Sequence, residues 1–446
     1  MQRWVGLRGG MGCVPRGPSR AVGSDRPGAS PQLTISAEDF SQPGYLPGKA
    51  ALDWMNHLLA NLRVGRMRQS NWIESHSTIV LASAICASLL INFAILANGG
   101  ALFGGDSLRY VDGADRVFHH VGLVGEQRSY SGYIFFLVFL RYLHLNSIGV
   151  AIVQICVAAV AGLALYDLGK HLAGRMAGLL AAVLFLLNPD IFRWNLFVLT
   201  DALYIDFIIL ACWAIWKASG SSLWKKALCI MVVLFASSIR PNGWPLPLVA
   251  VSYWISLQLK VRLTKLALIA ALFISFGYGL SRAHFFAPGI ENESPLRALQ
   301  NKVIVWGYPH RFEGARDSRS GDWRKLALGV VRNPVSTIKL AGLRVAAEFA
   351  HVRPFYSRLH NVALLLFLPA IYASAAYGFC RLRNEPLTLL IIAIVLYHTF
   401  IIAIFFADWD GRFLLYFFPL IGVLASSGAV IWRQHLIARL QLSKCT

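Results

Sequence analysis

The sequence predicts an all-α, polytopic integral membrane protein with about ten transmembrane helices. Hydrophobic residues make up 56% of its 446 residues and charged residues only 14%, whereas a soluble domain is about a quarter charged. Mean hydropathy is +0.55. Apolar runs recur along most of the chain, with basic residues between them. Spanning helices and their orientation signals need that arrangement.

The first 76 residues stand apart. They are rich in Arg, Gly, Pro and Ser and read as a disordered cytoplasmic segment, with Met55 or Met67 as alternative starts. Within them, ALDWMNHLLANL (51–62) reads as a short interfacial helix. The transmembrane domain covers 77–432. Its apolar spans fall near 78–97, 147–166, 176–190, 202–217, 227–239, 243–259, 264–284, 361–380, 386–406 and 413–432. A cytoplasmic tail, 433–446, follows.

SGYIFFLVFLRYLHL (131–145) is the ambiguous run, and charge decides it. Arg63, Arg66 and Arg68 precede the first span and hold the N-terminus inside. If 131–145 stays on the outer surface, the connections carrying Lys170/Arg175, Lys217/Lys225/Lys226, Lys260/Arg262/Lys265 and Arg381/Arg383 all fall inside, as does the tail. If it crosses, every later connection flips. It is therefore an external juxtamembrane helix, and the large external loops are 98–146 and 285–360.

The formal charge of +20 is distributed as orientation signals and lipid-headgroup contacts. No nucleic-acid-binding motif accompanies it, so nucleic acid is not an expected partner and membrane lipids are. The seven cysteines show no CxxC or Cys/His spacing of a zinc site.

This topology brings the conspicuous polar residues to one face. GGDSLRYVDGAD (104–115) carries Asp106, Asp112 and Asp115. Asp106 follows two glycines, which allow close approach to a substrate. It is the candidate base, against the plainer reading of a helix N-cap before Ser107–Tyr110. Tyr110 joins the substrate-binding candidates. Asp112 and Asp115 read as solvated or paired with Arg109 or Arg116. Asp201 in FVLTDALYIDF opens a span, where a carboxylate also suits the helix dipole. Arg240 in SSIRPNGWP is either a phosphate ligand or an interfacial anchor. DWDGRF (408–413) looks like a metal-binding DxD, but two alternating carboxylates are common by chance, and no metal or other cofactor is expected. Arg412 there is a candidate for a donor phosphate. In the 285–360 loop, NPVSTIKLAGLRVAAEFA (333–350) has helical apolar spacing and reads as an amphipathic helix along the outer leaflet. Its Arg344 is the last substrate-binding candidate.

Taken together and in order, these segments resemble the GT-C superfamily, polytopic glycosyltransferases similar to the protein mannosyltransferases and lipid A aminoarabinose transferases. The resemblance runs from about 78 to 432. It rests on GGDSLRY after the first span, LLNPDIFRWNLFVLTDALY, RPNG, RNPVSTIKLAGLR and DGRFLLYFFPL. The first loop has a single aspartate at its head, and Arg412-Phe413 stands where the family has Arg-Tyr. The resemblance implies an inverting, metal-independent transfer from a polyprenyl-phosphate sugar to a lipid, glycan or protein hydroxyl, with Asp106 as base. The expected setting is a bacterial inner membrane with the site facing the periplasm. A lipid-linked-sugar transporter or flippase is an alternative, with Asp206 as its nearest intramembrane candidate. An O-antigen ligase or polymerase is another.

Overall fold

The structure is a computed structural model describing residues 75–258, 303–306 and 332–442. The chain divides into two compact units, Met1–Met67 and Arg68–Thr446, and every described residue lies in the second. The expected helix at 51–62 and the expected span at 264–284 lie outside the described residues.

The principal helices are α1 (Ser77–Gly99), α2 (Ser107–Phe118), α3 (Ser131–Tyr142), α4 (Ser147–Ala173), α5 (Arg175–Leu186) and α6 (Thr200–Ala218). They continue as α7 (Leu223–Ile239), α8 (Leu246–Gln258), α9 (Pro334–Ala350), α10 (Arg358–Leu382), α11 (Pro386–Ile404) and α12 (Phe418–Leu442). The protein is an all-α membrane protein, as expected. Among the described residues, α1, α4, α10, α11 and α12 are each long and apolar enough to cross a bilayer. A sixth candidate joins α5 to the turns ending at Leu196 through a 50° bend. The bend has a local cause. Pro189 has no N–H to continue a helix, and the Asn188 side chain accepts from Asp190 N at 3.0 Å to start a new one.

Three further expected spans are helices that miss this length-and-composition measure. α6 carries Asp201, Asp206 and Lys217 along its 19 residues. α7 and the described part of α8 have 17 and 13 residues. The ambiguous run at 131–145 forms α3, whose 12 residues rise about 18 Å, short of the ~30 Å hydrocarbon core. It packs on α2 and α7 rather than crossing.

Packing follows membrane logic. Where α10 crosses α12, Gly378 lies against the Leu424 carbonyl and Gly428 against the Ser374 carbonyl, so a Cβ at either would collide with backbone. Small residues at such crossings let the helices approach closely where lipid supplies no hydrophobic drive. The outward face of α10 shows Leu359, Leu365, Leu366 and Phe367, a surface suited to acyl chains.

The connections gather at one end of the bundle. Leu102 bridges to Phe197, and Val305 to Ala407. Ion pairs there join 193 to 410 and 201 to 240, and a hydrogen bond joins 190 to 360. At the opposite end, Asp167 Oδ2 takes Lys217 Nζ and Trp213 Nε1, both at 2.8 Å. The loops expected outside and the basic connections expected inside thus sit at opposite ends.

Candidate active site

The site is built around a buried carboxylate. Asp201 lies in the first turn of α6 and is 1% exposed. Its Oδ1 accepts from Arg240 Nη1 at 2.8 Å and from the Tyr416 hydroxyl at 2.7 Å. Its Oδ2 lies 3.7 Å from Arg412 Nη1. Arg240 ends α7 just before Pro241 and also donates to Thr200 Oγ1 at 2.8 Å. Burial works against the charge on Arg240, but Tyr416 and Asp201 outweigh it and raise its pKa. Burial opposes Arg412 too, and Asp201 and Asp408 again prevail. Both guanidiniums stay charged at any physiological pH. The structure therefore brings together three of the residues picked from sequence: Asp201, Arg240 and Arg412.

Asp106 occupies the N-cap position of α2, but its side chain makes no capping bond. Ser107 Oγ instead accepts from Gly104 N at 2.8 Å. The Asp106 carboxylate, 41% exposed, lies 3.5 Å from Arg109, which also pairs with Glu126 at 2.8 Å. Between Asp106 and Arg240 stand two tyrosines. The Tyr110 ring lies 5.2 Å from that of Tyr130, and the Arg240 guanidinium sits 6.0 Å over Tyr130. Burial raises the pKa of the Tyr130 hydroxyl, Arg240 pulls it down and Asp106 adds to the rise. Tyr110, 1% exposed, is raised by burial and by Tyr130, and it too feels Arg240 and Asp106. Asp106 and the Arg240–Asp201 pair thus border one shared pair of rings. The other acids of that loop find partners the sequence did not indicate. Asp112 accepts from Gln127 Nε2 at 2.8 Å, and Asp115 pairs with Arg141 of α3.

The DWDGRF segment is held as a scaffold. Asp408 receives the Asp410 and Arg412 backbone N–H groups at 3.0 and 3.2 Å. It also takes the Arg412 guanidinium through two bonds of 3.2 Å. Asp410 receives the Tyr356 hydroxyl at 2.9 Å and Arg193 Nη2 at 3.0 Å. Gly411 takes φ 68, where glycine carries little strain, and leaves room for the His351 ring. Glu348 of α9, fully buried, bridges the segment: its two oxygens accept from Asp408 N and Leu414 N, each at 2.8 Å. Arg353 adds bonds to the Asp408 and Trp409 carbonyls at 2.9 and 2.8 Å.

Arg344 is placed differently from the other candidates. It is 1% exposed, and its Nε donates to the Val303 carbonyl at 2.8 Å. Its Nη1 donates to the carbonyls of Ala403 and Ile404, which end α11. Those donors fasten α9 to a helix terminus, away from the Asp201 pair. Sequence reasoning passed over Arg193, Trp194, Glu348, Arg353 and Tyr416. The spacing of Arg344 and Glu348 with Leu340, four residues apart, was the available signal that α9 buries charge.

Several buried donors at this end have no acceptor among the described residues: Arg240 Nε, Arg193 Nε and Trp194 Nε1. The Arg193 and Arg412 guanidiniums lie 4.9 and 5.6 Å over the same Trp194 ring. Buried N–H groups are costly to leave unpaired, which sets these three apart from the paired donors around them. Asp206, deeper in α6 and 2% exposed, also has one carboxylate oxygen without a partner.

No protein-family model and no curated protein sequence matches the chain. Solved structures do. The archaeal oligosaccharyltransferase AglB from Archaeoglobus fulgidus, solved with an inhibitory peptide and a dolichol-phosphate, matches at TM-score 0.50 and 13% identity. The match covers 83% of this chain and 52% of that one. The Archaeoglobus fulgidus oligosaccharyltransferase in its apo form matches at TM-score 0.46 and 14% identity over the same shares, a likeness too slight to carry an argument. The chain spans about half the length of these proteins. At such identity the likeness speaks for the fold alone, a helical membrane architecture shared with that oligosaccharyltransferase.

Proposed function

We propose that the chain is an integral membrane glycosyltransferase that moves a sugar from a polyprenyl-phosphate donor to a hydroxyl acceptor at the external face. One observation carries this reading. Arg240 and Arg412 converge on the buried Asp201, and Arg193 shares the Trp194 ring with Arg412. Three cations fixed at one end of the bundle suit the charge of a departing lipid phosphate. The neighbour solved with a dolichol-phosphate shares the fold and supports the choice of donor class.

In the proposed reaction the acceptor oxygen attacks the anomeric carbon and the sugar–phosphate C–O bond breaks. The acceptor proton passes to the Asp106 carboxylate. The bond electrons leave with the phosphate, whose charge Arg240, Arg412 and Arg193 stabilise. Attack from the face opposite the phosphate inverts the anomeric centre. Asp201 acts as a positioning residue, aligning the two guanidiniums. Arg344 acts at a distance by fixing α9. Tyr110 contributes a wall beside Asp106. Asp408 and Asp410 are engaged by protein donors, and the reading runs without a metal. The acceptor is a lipid, glycan or protein, and the setting is the periplasmic face of a bacterial inner membrane.

The test is transfer in proteoliposomes carrying the full chain and a set of polyprenyl-phosphate hexoses and pentoses. Asp106→Asn should cut turnover by about 10²–10⁴-fold, the usual worth of a positioned base. A normally folded Asp106→Asn protein that turns over at the wild-type rate removes the assignment.

A further inference from the structure

Next to the Asp201 centre lies a second constellation. Asp190 Oδ2 is 3.0 Å from His360 Nε2. The Tyr356 ring stacks on His360 at 4.4 Å and 14°, and its hydroxyl binds Asp410. Above these polar groups stand two solvent-facing rings, Phe355 and Trp409, 50% and 42% exposed, with centroids 5.3 Å apart. Phe355 also packs edge-on against Tyr356 at 4.8 Å. His351 completes the group. It is 2% exposed, in the left-handed region at φ 53, and 6.0 Å from the Tyr356 ring. Neither of its ring nitrogens has a partner among the described residues.

We propose that this constellation is a saccharide subsite: a pyranose ring of a glycan acceptor lies on Phe355 and Trp409 and offers its hydroxyls to Asp190 and His360, while Asp410 holds Tyr356 in place beneath them. The proposal rests on the glycosyltransferase reading and names the acceptor class for it. Three arguments favour this ligand. An aromatic face carries negative quadrupole charge, and the axial C–H groups of a sugar are its natural counterpart. Carboxylate, imidazole and phenol groups serve hydroxyls as both acceptors and donors. The carboxylates here are already engaged, Asp190 by a hydrogen bond with His360 and Asp410 by an ion pair with Arg193. The subsite therefore suits a neutral polyol rather than a phosphate or an anionic headgroup.

The rival occupant of exposed aromatics in a membrane protein is the bilayer interface. The backbone that carries Trp409 is fixed more firmly than such anchoring needs. The Trp409 carbonyl is bound by Arg353, and the residues on either side, Asp408 and Asp410, are buried and hydrogen-bonded. Pre-ordering of this kind lowers the entropy cost of binding a ligand. The position also fits an acceptor. Arg193 binds Asp410 in this subsite and stacks on Trp194, the ring it shares with Arg412. Arg193 therefore touches both the subsite and the cations proposed for the donor phosphate.

The experiment uses the full chain in detergent and in proteoliposomes. Mannotriose, maltotriose and chitotriose are titrated while tryptophan fluorescence is followed as the difference between wild type and Trp409→Phe. At least one trisaccharide should saturate the signal. Trp409→Ala and His360→Ala should each weaken its binding at least tenfold. Asp106→Asn should bind it normally while losing transfer, which separates the subsite from the chemistry. If Asp106→Asn transfers normally and binding holds, the base assignment fails and the subsite stands. Absence of binding by all three trisaccharides overturns the subsite, as does binding unchanged in Trp409→Ala. Selective quenching of Trp409 by brominated phosphatidylcholine in the proteoliposomes overturns it too, because the ring then faces lipid.

Discussion

The Asp201–Arg240 pair yields the sharpest energetic prediction. Its charges are 2.8 Å apart with side chains 2% and 9% exposed. At an effective dielectric of about 20 the gross attraction is about 6 kcal/mol, most of it offset by desolvation. Breaking a buried pair from one side is different, because the surviving charge keeps its desolvation cost and loses its partner. That costs about 3–5 kcal/mol. Asp201→Asn should be the worse single change, since Arg412 also faces this carboxylate at 3.7 Å. Arg240→Gln leaves Asp201 with Tyr416 and Arg412. The double variant removes both charges, so its loss should fall short of the sum of the singles by about 2–3 kcal/mol, the upper range for contacting residues. Cysteine burial supplies an assay. Cys212 and Cys229 are buried, whereas Cys86, Cys156 and Cys380 are exposed. After the exposed thiols are blocked, a thiol-reactive dye reports unfolding on heating. At about 2–4 °C per kcal/mol, each single variant should lose about 6–20 °C. Additive losses in the double variant would refute the ion pair as the organiser of the site.

Other outcomes follow from neighbouring groups. Glu348→Ala orphans the N–H groups of Asp408 and Leu414, at about 1–3 kcal/mol each; a thermal shift below 2 °C would contradict the clamp. His351 is expected to confer acid sensitivity. Burial, opposed by Asp190 and aided by Arg353, lowers its pKa to about 4, so it binds a proton less readily folded than unfolded. Its contribution is complete above the ordinary value near 6.5 and is lost as pH falls towards 4, a change of up to about 3 kcal/mol. His351→Asn, which tolerates the left-handed backbone, should flatten the melting-temperature profile between these pH values. Arg344→Lys should lower stability without changing the affinity for a polyprenyl-phosphate sugar. A selective loss of that affinity would return Arg344 to the binding site.

Much of the fold was legible because a bilayer leaves few choices. Every backbone group must be satisfied within a helix, so apolar length and basic flanks nearly determine the order of crossings. The 131–145 run, ambiguous by composition, was placed by charge, and its helix α3 has only 12 residues, below a crossing length of its own. Asp201, Arg240 and Arg412 were legible for a related reason, as charged residues at the ends of apolar runs on one side. Their convergence was not. Nothing in the sequence states that residues 39 and 215 positions away from Asp201 donate to the same carboxylate oxygen. Arg344 was picked from sequence as a substrate-binding residue, and its burial was not legible: α9 turns Leu340, Arg344 and Glu348 inward, where Arg344 and Glu348 bind backbone groups of the neighbouring segments.

That inward face links fold to site. The segment from Phe405 to Phe417 must turn sharply between two membrane helices while presenting Arg412 and Tyr416 to Asp201, and its backbone N–H groups cannot all be met by water. Asp408 takes two of them from within the segment, and Glu348 takes two more from α9. Four N–H groups are thus satisfied by two carboxylates, fixing the backbone on both sides of Arg412. The guanidinium then needs only its short side chain-to-side chain bonds to Asp408 to be aimed. In the proposed reaction, a cation aimed in advance does not reorganise when charge develops on a leaving phosphate, which is where electrostatic catalysis gains most. Asp408 of DWDGRF serves the arginine beside it, and Asp410 serves Tyr356 and Arg193. Asp408→Asn, which keeps the shape but weakens that aim, should lower kcat more than it raises KM.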